Sequence, residues 1–138
     1  MDSYTRLSIW TASLLLSVAC STAVAENVFV FIVCHPGVSL AAADVRDVFV
    51  GEKQFSNAIK LVPVDNLAVQ PVFLDKVMNM RAVKYANTWV KKSFRDGVHP
   101  PVVRANDTEV LDFIKRTRGS CGYVLSAPAG GVAMIMRF

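Results

Sequence analysis

The feature that most constrains the fold is an unbroken apolar run near the start of the sequence. Residues 27–34 read NVFVFIVC, a stretch of β-branched and aromatic side chains without polar alternation. A strand of this kind is buried on both faces, because a half-buried strand would alternate apolar and polar residues. His35, Pro36 and Gly37 end the run. We therefore expect a strand inside a mainly parallel sheet that has helices on both sides.

The rest of the chain alternates predicted helices and strands. Ser39 is the predicted cap of a helix that stops at Gly51, and Pro71 suits the first turn of another helix. Two further helices are predicted, one carrying Ala82, Tyr85, Ala86, Trp89 and Val90, with Tyr85 and Trp89 expected in the core, and one capped by Asn106 and Glu109. The remaining predicted elements are a strand at 59–64, a loop at 93–101, an extended piece at 101–104, and strands at 121–125 and 132–136. This order predicts an α/β domain with a central mixed sheet flanked by helices, or an α+β domain if the last strands run antiparallel.

The first 25 residues are typical of an export signal. Arg6 supplies a positive start, SIWTASLLLSVA supplies a short apolar core, and Ala23-Val24-Ala25 supplies the small residues that a signal peptidase requires. Cys20 could mark a lipoprotein signal, but Ser17 stands where such a signal has leucine. We therefore expect cleavage after Ala25, a periplasmic protein, and one domain over residues 26–138.

The charge of the chain argues against one class of partner. The net charge is +4, which is mildly basic, and an exported protein with so few clustered cations is not expected to bind nucleic acid. The short basic groups at 91–92 and 115–118 are interpreted as solvated helix faces.

Cysteine and histidine are too widely spaced to predict a metal site. Cys34 and Cys121 can form a disulfide in an oxidising compartment or remain two buried thiols, and the sequence leaves both alternatives open. With His35 and His99 they lack the paired close spacings of structural zinc sites. No phosphate-binding loop, nucleophile elbow or paired-acid motif is present in the sequence, so we expect no cofactor, no metal and no enzymatic activity.

Four segments in order resemble a known family. They are LAAADVRDVFVGE at 40–52, IKLVPVDN…VF at 59–73, TWVKKSFRDGVHPP at 88–101 and GSCGYVLSA at 119–127. Together they are similar to the periplasmic phosphate-binding proteins of ABC transporters, in particular to small PBP-like members. The resemblance implies a type II periplasmic-binding fold, a solute ligand and a membrane transport or signalling partner. Full-length relatives have two lobes, whereas residues 26–138 suffice for one lobe.

The turn at 64–73, VDNLAVQPVF, departs from the family pattern. Phosphate-binding relatives carry an arginine and a serine-glycine-threonine run in this turn, which bind the phosphate oxygens. In this chain Asp65 takes the place of the arginine, and residues 66–71 take the place of the serines and glycine. Because a carboxylate repels phosphate, a ligand at this turn is expected to be a cation, an amine or a hydroxylated molecule.

Two functions remain open at the level of sequence. The first is an exported solute-binding-like protein that acts by binding, either to a small anion or to another small solute. Its candidate ligand-binding residues are Ser39, Asp65, Asn66 and Gln70. Each has a structural alternative, since Ser39 can cap its helix, and Asp65 and Asn66 can form a side-chain-stabilised turn. The second function is a protein-interaction or scaffold domain, acting as a homodimer or with another protein, that kept the fold and lost phosphate binding.

Overall fold

The computed structural model describes residues 27–138, so the predicted signal peptide at 1–25 lies outside the described residues. The strands in this range are β1 (Phe31–Cys34), β2 (Phe55–Ser56), β3 (Ile59–Lys60), β4 (Val62–Asn66), β5 (Val102–Arg104), β6 (Ser120–Val124) and β7 (Ala133–Arg137). The helices are α1 (Asp44–Phe49), α2 (Gln70–Phe73), α3 (Ala82–Asp96) and α4 (Asp107–Arg116), and α2 continues into a π-helical turn at Leu74–Met78. No helix over residues 27–138 is both long and apolar enough to cross a bilayer.

Five strands form one mixed sheet in the order β5-β4-β6-β1-β7, and β2 and β3 form a separate hairpin. β4 is parallel to β5 and to β6, whereas β1 is antiparallel to both of its neighbours, β6 and β7. Four strands of the sheet therefore point one way, and β1 alone points the other way. The prediction of an α/β domain with a central mixed sheet flanked by helices is confirmed at this level.

The first strand is buried on both faces as predicted, but both of its neighbours run antiparallel to it, so the expectation of a mainly parallel sheet around it is wrong. Ile32 and Cys34 face the larger core, which α1, α2, the π-helical turn and α3 cover. Val33 faces the smaller core, which α4 covers on the other side of the sheet. The apolar run reflects helices on both faces, and that burial is the same whether the neighbouring strands are parallel or antiparallel.

A disulfide joins β1 to β6 where the two strands pair directly. Cys34 and Cys121 are register partners, and their sulfur atoms lie 2.08 Å apart. The bond closes a loop with a sequence separation of 87 residues. It therefore ties the first strand of the described chain to the sixth.

The first helix begins later than predicted, and Ser39 does not cap it. α1 starts at Asp44, and its N-cap position is Ala43. The Ser56 hydroxyl accepts a hydrogen bond from the Ser39 backbone N–H at 3.1 Å and donates one to the Ser39 carbonyl at 2.7 Å. These two bonds hold residue 39 against the β2–β3 hairpin in a non-helical path. The hairpin itself was not predicted from the sequence.

Helix α3 is longer than predicted. It extends through Asp96 into the predicted loop and ends at Gly97, whose φ of 64° is a left-handed conformation that glycine tolerates. Tyr85 and Trp89 are buried as expected, but Ala82, Ala86 and Val90 are exposed. The inner side of the helix also carries Lys92, whose ammonium group donates to the Gly51 carbonyl at 3.3 Å and pairs with Glu52 at 2.9 Å. The prediction that the basic pair at 91–92 is wholly solvated is therefore wrong for Lys92.

Candidate functional site

The candidate site lies at the carboxyl end of β4, where ligands of open α/β sheets commonly bind. Asp65 and Asn66 are the last two residues of β4, and Gln70 is the first residue of α2. Adjacent residues on a strand point to opposite faces of the sheet. Asp65 accordingly contacts the α3 side, and Asn66 contacts the α4 side.

The Asp65 carboxylate is buried and accepts hydrogen bonds from three side chains. The Tyr85 hydroxyl lies 3.0 Å from each of its two oxygens, and the Tyr123 hydroxyl lies 3.0 Å from Oδ1. Gln70 Nε2 donates to Oδ2 at 3.4 Å. The carboxylate thus connects β4 with α2, α3 and β6 through their side chains.

An aromatic cluster holds one of these donors in place. The Tyr123 ring stacks on Phe73 with a centroid distance of 3.8 Å and an interplanar angle of 5°. Phe49 packs edge-on against both rings, at 4.9 Å from Phe73 and 5.5 Å from Tyr123. All three rings are buried, so the direction of the Tyr123 hydroxyl is set by packing.

Burial changes the proton affinity of the carboxylate and of both tyrosines. Loss of hydration raises the pKa of Asp65 to about 6, although the hydroxyls of Tyr123 and Tyr85 and the Gln70 amide each oppose that rise. Burial, followed by the negative charge of Asp65, also raises the pKa of Tyr85 and of Tyr123. At neutral pH the cluster therefore contains one buried negative charge and two neutral phenols.

On the other face of β4, Asn66 belongs to a separate chain of hydrogen bonds. Its Nδ2 donates to Asp107 Oδ1 at 2.7 Å and to the Tyr123 carbonyl at 3.1 Å. Asp107 Oδ2 accepts from the backbone N–H groups of Leu125 and Ser126, at 3.1 and 3.0 Å. Asn66 Oδ1 is buried and has no hydrogen-bond partner among the described residues. This amide therefore links β4 to α4 and to the end of β6.

A groove between α3 and β5 ends at the carboxylate. It has a volume of about 580 Å³ and is lined by Asp65, Gln70, Ala82, Tyr85, Ala86, Trp89, Val90, Ser93, Phe94, Pro100, Pro101 and Val103. Its walls are mostly apolar or aromatic, and no lysine or arginine lines it. The groove can accommodate an apolar body, with Asp65 and Gln70 as its charged and amide ends.

The structure brings three of the four predicted ligand-binding residues together at this end of the sheet. Asp65 and Gln70 line the groove, and Asn66 lies beside them on the opposite face of β4. Ser39 is next to Ser56 at the hairpin and does not line the groove. The structural alternative for Asp65 and Asn66 was a turn stabilised by their side chains. Instead, Asp65 accepts a hydrogen bond from Tyr85 and Asn66 donates one to Asp107, and both partners are distant in sequence. The turn itself is formed by residues 67–69.

Two residues of the candidate site were not predicted from the sequence, namely the tyrosines that donate hydrogen bonds to Asp65. Tyr85 was interpreted as a core residue, and Tyr123 as part of a closing strand. A signal for both was present, because a buried tyrosine hydroxyl requires a hydrogen-bond partner. Asp65 was the acid available at the end of a buried strand.

The site does not present the side chains of a metal centre. Within residues 27–138, no group of three His, Cys, Asp or Glu side chains is placed to hold a metal ion. His35 Nδ1 lies 2.7 Å from the Pro36 carbonyl, and the neighbouring Cys34 is in the disulfide. The groups that the site presents are a hydrogen-bonded carboxylate and a mostly apolar groove beside it.

Comparison with known proteins does not assign this chain to a family. No family model matches the chain, and no curated protein is significantly similar to it.

Proposed function

We propose that this chain is an exported solute-binding-like protein, related to the phosphate ABC transporter substrate-binding family as a single lobe, and that it acts by binding without catalysis. The observation that carries this proposal is the groove between α3 and β5, which ends at Asp65 at the carboxyl edge of β4. Grooves at this edge are the usual ligand sites of open α/β sheets. The ordered resemblance of residues 40–127 to that family supports the same proposal.

The chemistry of the groove favours a ligand other than phosphate. The inner end presents the carboxylate of Asp65 and the amide of Gln70, and the walls are apolar and aromatic. A carboxylate attracts an ammonium group or accepts from a hydroxyl, and aromatic walls pack against an apolar body. We therefore expect a small molecule with an apolar part and one cationic or hydroxyl end.

Calorimetric titration of the secreted protein tests this function. The probes are inorganic phosphate, phenethylamine and 3-phenylpropionate, of which the last two have similar apolar bodies and opposite charges. We expect the amine to bind and the two anions not to bind. The variant Asp65→Asn should weaken amine binding about ten-fold or more, since hydrogen bonds to a charged group contribute more than neutral ones. Tight phosphate binding, or equal binding of the amine and the acid, would contradict the proposal.

A second function is favoured by the exposed apolar side chains on the rim of the same groove. Val90, Phe94 and Val103 are 55%, 89% and 55% exposed, and β5 is an edge strand of the sheet. Such a surface is typical of a protein-interaction domain. Size-exclusion chromatography with light scattering, on the sample used for titration, distinguishes a solute-binding protein from a protein-interaction domain. A dimer that binds none of the probes would favour the interaction domain.

A further inference from the structure

The outer side of α3 carries a row of exposed apolar residues. Val83, Val90 and Phe94 are 70%, 55% and 89% exposed. Their spacings of seven and four residues place them on one line along the helix. The opposite side of α3 is occupied by Tyr85, Trp89 and Lys92, which are buried. Helix α3 therefore has a second apolar line that no described residue covers.

A row of cations runs beside this apolar line. Arg81, Lys84 and Lys91 are exposed, and together with Val83 they border a shallow depression of about 440 Å³. None of these three cations forms an ion pair with a carboxylate within residues 27–138. The carboxylate on α3 itself, Asp96, is paired with Arg95 at 2.9 Å. This side of the helix consequently presents positive charge without compensation from the described chain.

From this juxtaposition we propose that the outer face of α3 docks the protein on an anionic membrane surface. A helix that lies on a bilayer places apolar side chains at the acyl boundary and cations among the headgroups. Phe94, at the C-terminal end of the apolar line, is 89% exposed and protrudes from the helix. A bilayer takes up protruding side chains without a matching cavity, whereas a folded partner protein needs a complementary groove. Because no described carboxylate pairs with these three cations, they favour a negatively charged surface.

This inference goes beyond the proposed function, because Val83 and the cations lie outside the ligand groove. Phe94 and Val90 border both surfaces. Docking by α3 would therefore place the mouth of the groove next to the membrane. Vesicle binding can be measured without any solute, so a failure of docking is distinguishable from a failure of solute binding.

Vesicle sedimentation of the secreted protein, after its N-terminus has been determined by mass spectrometry, tests the docking. Vesicles of phosphatidylcholine with an equal part of phosphatidylglycerol are compared with vesicles of phosphatidylcholine alone. We expect binding to the anionic vesicles and none to the neutral ones, with weaker binding as ionic strength rises. Absence of binding to the anionic vesicles, or equal binding to both kinds, would overturn the proposal in favour of another partner.

Matched variants locate the surface. The double variant Lys84→Gln/Lys91→Gln should weaken binding about thirty-fold, since each lysine near an anionic surface contributes about five-fold. The control is Lys115→Gln/Arg116→Gln on α4, which should bind like the unmodified protein. Phe94→Ser should weaken binding about ten-fold, whereas Leu67→Ser, at an exposed leucine outside α3, should not. All these positions are exposed, so the variants should melt at similar temperatures. Equal losses in the variants and the controls would refute docking by α3.

Discussion

At the scale of single residues, Asp65 makes stability depend on pH in an unusual direction. The pKa of its carboxyl is raised from 3.8 to about 6 in the folded protein, chiefly by burial. The folded state therefore binds the proton more tightly than the unfolded state between these values, and protonation stabilises the fold. This contribution is complete below about pH 4 and is lost as the pH rises through about 6.

The variant Asp65→Asn isolates this effect, because it keeps an acceptor for the tyrosine hydroxyls and cannot titrate. Between pH 7.5 and pH 4.5, the free energy of unfolding of the unmodified protein should rise relative to the variant by roughly 2 kcal/mol. Urea unfolding at intermediate pH values measures the difference. Parallel pH profiles for the two proteins would show that the carboxyl titrates as an exposed one.

The position of Asp65 could be predicted from the sequence, but its partners could not. A strand that ends in VDN places an acid at the edge of the sheet by local rules alone. Tyr85 and Tyr123 lie 20 and 58 residues away along the chain. They reach the carboxylate through the packing of α3 and the pairing of β6, neither of which leaves a local pattern around residue 65.

At the scale of elements, α4 shows how far local signals determine a helix. Asn106 Oδ1 accepts from the Glu109 N–H at 3.0 Å, and Glu109 Oε2 accepts from the Ala105 N–H at 3.0 Å. Asn106→Ala removes the cap, and we expect a loss of about 1 kcal/mol in the free energy of unfolding. Chemical denaturation measures the loss.

The control for this prediction is Asn87→Ala, at an exposed position in the middle of α3. Alanine is the better helix former there, so the control should be neutral or slightly stabilising. Equal effects at both positions would mean that the cap contributes nothing beyond helix propensity.

The contrast between α4 and α1 explains which element bounds were predictable. The start of α4 follows from its own cap residue Asn106, so the sequence predicted that start correctly. The start of α1 depends on Ser56, which is 17 residues from Ser39 and belongs to a hairpin with two residues in each strand. So short a hairpin has too few residues for an alternating pattern, and the cap predicted at Ser39 was therefore wrong.

At the scale of the whole molecule, the disulfide between Cys34 and Cys121 restricts the unfolded chain. Its loop spans 87 residues of sequence separation, and the chain-entropy treatment gives about 4.6 kcal/mol for a loop of this length. The variant Cys34→Ala/Cys121→Ala should lose about that much free energy of unfolding. Thermal unfolding of the variant beside the unmodified protein, with and without reductant, measures it.

Reductant should lower the melting temperature of the unmodified protein and leave that of the variant unchanged. A melting temperature that reductant does not alter in either protein would show that the bond does not contribute.

The existence of an α/β sheet followed from the alternation of elements in the sequence. The order of the strands in the sheet could not be predicted in the same way. Strands that are far apart in the sequence pair with each other, and which of them pair depends on how the helices pack on both faces of the sheet.

The position of β1 has a consequence for the time at which the sheet can form. β1 pairs with β6 and β7, which end at Val124 and Arg137. A chain made from its N-terminus presents its most apolar strand first and supplies both neighbours of that strand last. Native pairing of β1 must therefore wait until the residues up to Val124 and Arg137 have been synthesised, and until then the most apolar strand has neither of its neighbours.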